Sequence, residues 1–325
     1  MDCNVVAERG AEMTTPVLSN LRMIGNGLRR PECVQAMPDG TVLCSDAKGG
    51  VKILWSDGSQ SSRGDKGMPG HVSNGFAITP DGTVIVANTG PAGGLWTIAS
   101  GGEVAPLVEQ LDGTPNFVLI DHAGDIWFSV LTRADHSAPL SATRADGYIA
   151  RLKDGAVEIM ADGLISANEF RIDPALGALY VNETFARRTT RFDIAANGTL
   201  SNRQVLAEYA RGSYPDGLAL DEHGDLWVPC IIANQIAHVS KDGDVLVVYE
   251  ERDPERVAEV QSALDAGTLT RDLIYQDTGA TLNNPTSLAF GGPDLRTLYA
   301  GSITNTYLCA FDCSVAGQPM AHWTP

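Results

Sequence analysis

Tyr214-Pro215-Asp216-Gly217-Leu218-Ala219-Leu220-Asp221-Glu222-His223-Gly224-Asp225-Leu226-Trp227-Val228-Pro229 reads as a short apolar strand, a tight turn on Gly224 and a second apolar strand. One polar residue, Asp216, stands where the first strand begins. Versions of the stretch recur along the 325-residue chain, and aligning them on the turn glycine makes a column. Glu32 precedes Gly40, Asn74 precedes Gly82, Asn116 precedes Gly124 and Asp216 precedes Gly224, each by eight residues. A further copy, Asn168 to Val181, carries one extra residue in its turn, and a last copy, Pro285 to Tyr299, puts Thr286 in the column. Strand-and-turn units repeated at roughly 40 to 70 residues mark a β-propeller, each unit being one four-stranded blade. The sequence therefore predicts an all-β, six-bladed β-propeller.

In a propeller the first strand of every blade lines the central axis, so the column residues must converge at one level of the channel. The column holds acids, amides and a hydroxyl, with no Lys or Arg. Carboxylates crowded there repel one another unless a positive charge sits among them. Spacing alone leaves two readings open: a divalent cation, or a ring of polar side chains solvated by channel water. For a cation, oxygen donors without His or Cys favour calcium, magnesium or manganese over zinc.

Taken in order, Arg30-Pro31-Glu32, Asn74-Gly75-Phe76-Ala77, Pro115-Asn116, Asn168, Pro215-Asp216-Gly217-Leu218 and the closing run Asn284 to Gly292 resemble the gluconolactonase and senescence-marker-protein (regucalcin) family of six-bladed propellers. The resemblance runs from about Leu18 onward. It implies a divalent cation, often calcium in that family, held by Glu32, Asn168 and Asp216, with Asn116 as a fourth ligand or a substrate contact. Two departures stand out. The family's Glu-Gly-Pro-x-Trp is Glu32-Cys33-Val34-Gln35-Ala36 here, and its Asn-Gly in the fourth blade is Asn168-Glu169. Strand alternation is expected to turn Glu169 away from the channel, into a structural role.

The rest of the chain fits one propeller domain over residues 17–325, with residues 1–16 as a loose N-terminal arm. Val17 to Ile24 reads as a strand that closes the ring by pairing into the last blade, which removes two exposed edges. Residues 253–283, between blades five and six, form an insertion with a helix from Pro254, capped by Asp253 and ended by Gly267. Val257, Val260 and Leu264 share one face, so the helix packs on the propeller as a partial lid, as decoration or as a subunit contact. A second insertion, Leu131 to Asp146 in blade three, carries Arg133, Asp135, His136 and Arg144 and forms either a rim of the channel or a solvated loop. His71, three residues before Asn74, is expected on a surface loop.

With 43% hydrophobic and 19% charged residues the chain can bury a continuous core. Its formal charge of −17 argues against nucleic acid or an anionic membrane surface as a partner. Without a run of about 18 apolar residues or a basic apolar leader, a soluble, cytoplasmic protein is expected. Cysteines at 3, 33, 44, 230, 309 and 313 show no CxxC pair and read as reduced, mostly buried thiols. HExxH, G-x-S-x-G, P-loop and G-x-G-x-x-G motifs are absent, which removes support for serine-nucleophile and nucleotide chemistry.

The expectation is a metal-dependent hydrolase that opens the lactone ring of a small-molecule substrate, a sugar aldonolactone as the resemblance implies. The cation would be calcium first, with magnesium, manganese or zinc as alternatives. Asp216 is expected both to hold it and to take a proton from the attacking water, as the resemblance suggests, with Glu32 second in that role. Asn116 and Asn74 would orient the substrate through their amides, and Arg171 would bind a carboxylate or hydroxyl. The same site also suits a phosphoester or aryl ester hydrolase, and a non-catalytic calcium-binding propeller is the reading from another class.

Overall fold

Gly40, Gly82, Gly124 and Gly224 all take φ between 80° and 85°, so the four aligned turns share one geometry. It is a left-handed conformation that glycine adopts without a Cβ clash. In blades three and five the residue three before the glycine holds the turn: the Asp121 carboxylate accepts from Ala123 and Asp125 N–H, and the Asp221 carboxylate from His223 and Asp225 N–H. Each turn joins the innermost strand of a blade to its second strand.

The computed structural model describes residues 15–67 and 70–323. The strands form six small antiparallel sheets. Their innermost strands are Val34–Ala36, Ser73–Ile78, Thr114–Ile120, Ala167–Asp173, Ser213–Pro215 continued by Ala219–Leu220, and Pro285–Gly291. Each innermost strand packs against its neighbour in sequence, and the last contacts the first, so the sheets close into a six-bladed β-propeller. Strand Leu18–Ile24 supplies the outer edge of the sixth blade by pairing antiparallel with Leu308–Cys313, Leu18 opposite Cys313 and Ile24 opposite Leu308. The ring is thus tied by its own N-terminus, as the sequence predicts. Residues 1–14 of the expected N-terminal arm lie outside the described residues.

The core lies between blades. Trp127 and Trp227 are buried at equivalent second-strand positions, and their indole N–H groups donate to Asp121 and Asp221 at 2.8 and 3.0 Å. The five described cysteines are free and buried. Among the described residues no helix is long and apolar enough to cross a membrane.

The insertion between blades five and six folds as helix α1, Pro254–Asp265, and a short α2, Arg271–Ile274. Asp253 caps α1 by accepting from Glu255 and Arg256 N–H. Val257, Val260 and Leu264 are buried in one cluster with Phe185, Tyr214 and Ile303 on the ring, and with Leu140 from the blade-three insertion. The two insertions are pinned together: Leu140 N–H donates to the Leu269 carbonyl at 2.8 Å, and Arg271 donates to the His136 carbonyl. Of the readings left open for the 131–146 loop, the structure supports the rim. At the opposite end of the channel the C-terminal segment crosses the opening, where the Trp323 indole N–H donates to the Ala36 carbonyl at 2.8 Å.

Candidate functional site

The column residue of a blade sits where the strand pairing slips. In blades two, three, four and six the register shifts between Ser73 and Phe76, Pro115 and Val118, Ala167 and Phe170, and Pro285 and Leu288. In blade five the strand breaks between Pro215 and Ala219. Such a bulge suspends the alternation of side chains, so two successive residues can face the same way. This overturns the expected orientation of Glu169. Its side chain is buried beside Arg171 at 3.5 Å, and its carboxylate charge acts on Asp216 from within the channel. Gly217 makes room for it, since a Cβ there would come 2.7 Å from Glu169 Oε2 and 2.5 Å from the Thr286 carbonyl.

Glu32, Asn74, Asn116, Asn168 and Asp216 line one cavity of about 600 Å³ at the mouth of the channel. Its upper wall comes from both insertions, through His136, Leu140, Arg271, Ile274 and Tyr275. Thr286 is in the column but outside the cavity lining, and its hydroxyl donates to the Glu32 carbonyl at 2.7 Å, tying blade six to blade one. The amide of Asn74 is already engaged. Its Oδ1 accepts from Arg30 at 2.9 Å and its Nδ2 donates to the Asn116 carbonyl at 2.9 Å, so it holds the site together instead of presenting free groups to a substrate. Asn168 donates to Thr184 Oγ1 at 3.0 Å.

Arg30 is the residue that the column misses. It lies two residues before Glu32 at φ 50°, with its guanidinium on the Glu32 carboxylate and 5.6 Å from the centre of the Tyr275 ring. The channel therefore carries a positive charge of the chain's own, which the column, without Lys or Arg, does not reveal. Burial drives the Glu32 carboxyl above the usual range, and Arg30 opposes that shift. The Asp216 carboxyl is pushed further up, by burial first and then by the charges of Glu32 and Glu169. Glu169 is raised to about 7, chiefly by burial, with Arg171 opposing. Arg30 pairs with Glu32 in the cavity and Arg171 with Glu169 beneath it, so among the described residues Asp216 is the acid without an ion-pair partner.

That imbalance is one test of whether a divalent cation suits the site. A second is donor chemistry: Asn116 Oδ1 is a buried acceptor without a hydrogen-bond partner, beside the Glu32 carboxylate that Arg30 engages. An unpaired buried acceptor is costly, and a cation that takes oxygen ligands satisfies it. The residues fit such an ion.

Arg171 does not join them. It lines a separate cavity of about 570 Å³ at the opposite end of the channel, where it packs over Phe117 at 4.8 Å. His71 is also not the surface residue expected, being buried edge-on against Trp96 at 4.4 Å. A second acidic cluster, Asp221, Asp225 and His238, could by composition hold a metal, with His238 at 3.3 and 3.5 Å from the two carboxylates. It has a structural explanation. His238 pairs across the strands with Trp227 as Arg151 does with Trp127 and Arg191 with Tyr180, so blades three, four and five each place a basic side chain at this register.

His136 comes from the insertion expected as a possible rim, whereas Arg30, Leu140, Arg271 and Tyr275 are not assigned to the site from sequence, and all five lie outside the repeat. The insertion lengths are the one sequence signal that marks most of them. Against known proteins, 147 residues are 30% identical to the 6-deoxy-6-sulfogluconolactonase of Pseudomonas putida, covering 45% of this chain and 40% of that one. A stretch of 172 residues is 23% identical to the gluconolactonase of Zymomonas mobilis, covering 48% of each. The chain thus spans less than half the length of these curated relatives. Among solved structures, the calcium-binding protein regucalcin from Agrobacterium tumefaciens superposes with a TM-score of 0.68 at 15% identity over 93% of this chain and 98% of that one, a likeness of fold. Residues 30–260 match the SMP-30/gluconolactonase/LRE-like region, which contains all five column residues that line the cavity, and the chain belongs to that family.

Proposed function

We propose that this chain is a metal-dependent lactonase whose site is the cavity floored by Glu32, Asn116, Asn168 and Asp216. The observation that carries the reading is the convergence of two carboxylates and two amides on one cavity, with Asn116 Oδ1 left unpartnered. The names of the curated relatives support lactones as the substrate class. A divalent cation bound among the four residues, calcium being the first choice, supplies Lewis acidity: a polarised lactone carbonyl and a lowered pKa for a nearby water.

The chain's own residues account for the rest. Asp216, ionised once its charge is balanced, takes a proton from the attacking water and returns it to the ring oxygen as the ring C–O bond breaks, which leaves a hydroxy acid. Asn116 Nδ2 orients the substrate, while Asn74 fixes Arg30 and the Asn116 backbone. Leu140, Phe185, Ile231, Ile274 and Ile303 form apolar walls that limit competing water.

The test is hydrolysis of an aldonolactone panel by EDTA-stripped protein, followed by addition of calcium, magnesium, manganese or zinc, with Asp216→Asn as control. Metal-restored turnover that drops about 100-fold or more in the variant, with the melting temperature retained, is the expected result. Metal binding without turnover of any lactone refutes the substrate class and points to another ester. Turnover that survives both EDTA and Asp216→Asn refutes the site.

A further inference from the structure

The same cavity that holds the acids at its floor is cationic above them. Arg271 projects from α2 into the wall, and its hydrogen-bond partners among the described residues are the backbone carbonyls of His136 and Ala138, both reached through Nη1. No carboxylate lies within ion-pair distance of it among the described residues, although the chain as a whole carries −17. Arg30 lines the cavity from below. Its Nη2 is spent on Asn74 and Glu32, and its Nη1 is buried without a partner. Between the two guanidinium groups stands Tyr275, a polar-tipped ring that is 40% exposed.

Charge counting gives the consequence. Glu32 and Asp216 cancel against a divalent cation, and Arg30 and Arg271 then leave the cavity with an excess of positive charge. Arginine is suited to carboxylate, phosphate and sulfonate oxygens because its planar fork donates two parallel hydrogen bonds. A neutral sugar ring offers hydroxyl acceptors but leaves Arg271 without a counter-charge. The volume of about 600 Å³ has room for a six-membered ring and a charged substituent.

We infer that the substrate is an anionic lactone, a sugar lactone ring bearing a carboxylate, phosphate or sulfonate that sits between Arg30 and Arg271 while the carbonyl faces Glu32 and Asp216. The inference rests on the lactonase reading for the reaction but not for the anion site. No further co-reactant is required, because the substituent is bound and left unchanged.

The experiment has two arms. In the first, kcat/KM of the metal-loaded protein is measured on glucono-1,5-lactone and on its 6-phosphate, 6-sulfonate and 6-carboxylate counterparts, with wild type and Arg271→Gln. The anionic series should exceed the neutral lactone by about tenfold or more, and the anionic-to-neutral ratio should fall about tenfold in the variant. Using the ratio cancels any general loss of folding or chemistry. In the second arm, calorimetry compares binding of 1,5-anhydroglucitol and its 6-phosphate, ring analogues that cannot be hydrolysed. Tighter binding of the phosphate that is lost in Arg271→Gln supports the anion site even if no lactone is turned over, a result that would sink only the lactonase reading. Equal kcat/KM and equal binding for neutral and anionic ligands overturn the inference while leaving lactone hydrolysis intact. An anionic-to-neutral ratio unaffected by Arg271→Gln removes Arg271 from it.

Discussion

Replacing Arg30 by Gln removes the cation that faces Glu32 at the buried floor of the cavity. The Glu32 side chain is only 8% exposed, so water cannot take over the role of the guanidinium. Removing one partner of a buried ion pair costs about 3–5 kcal/mol. With an unfolding entropy of about 2.1 cal/mol/K per residue, the 325-residue chain loses about 0.7 kcal/mol per degree, so the melting temperature in EDTA near pH 7.5 should fall by roughly 4–7 °C. The effect has a definite pH sign. The Glu32 carboxyl is raised in the fold, by burial first, and without Arg30 it rises further. An acid whose folded pKa is raised destabilises the fold as pH climbs from its unfolded value of 4.5 through the folded one, and contributes no penalty below 4.5. The gap between variant and wild type should therefore close near pH 4. Adding calcium or manganese at pH 7.5 should raise the melting temperature of Arg30→Gln more than that of wild type, because the ion supplies the missing positive charge. Scanning calorimetry at pH 4 and 7.5, with and without metal, measures all three. Equal melting of the two proteins in EDTA at pH 7.5, or an undiminished gap at pH 4, would refute the reasoning.

Other perturbations test the frame around the site. Glu183 is fully buried, and although burial alone would push its carboxyl up, hydrogen bonds from Arg188 and Thr190 hold it below the usual range. Glu183→Gln should cost about 2–4 kcal/mol at pH 7 in urea unfolding, and the difference should fade as pH drops through the lowered folded pKa; a pH-independent difference would argue against the charge. Gly301→Ala places a methyl 2.2 Å from the Glu32 carbonyl, too close to remain there, and the resulting shift of Glu32 should lower kcat/KM about 100-fold with circular dichroism unchanged. Wild-type turnover in that variant would mean that the backbone at Glu32 moves without consequence. Deleting residues 1–24 bares the edge of Leu308–Cys313 and should give aggregating protein by light scattering, whereas a soluble monomer with a cooperative melt would dismiss the closing strand as a tie.

The sequence by itself determined the architecture, because the repeat is local. Each blade needs an apolar strand, a glycine turn and a second apolar strand at fixed spacing, and that spacing can be counted without knowing what lies across the ring. The same counting located Glu32, Asn74, Asn116, Asn168 and Asp216, since residues at one register of equivalent strands must meet on the axis. The capped helix at Pro254 was legible for a similar reason: its signals lie within a dozen residues of one another.

What the tertiary structure alone decided lies off that period. Glu169 turns inward because a bulge resets the alternation, and whether a strand bulges depends on its partner strand. Arg30 reaches Glu32 from a left-handed residue outside the strand, so no periodicity marks it. Arg171, three residues from Asn168 in sequence, faces the other end of the channel, because a strand advances about 3.3 Å per residue along the axis. Arg271 and His136 are 135 residues apart and meet only because two insertions from different blades pack over the same mouth. Local spacing fixes which residues line the axis; the charge they meet there is set by chain segments that only the closed ring brings together.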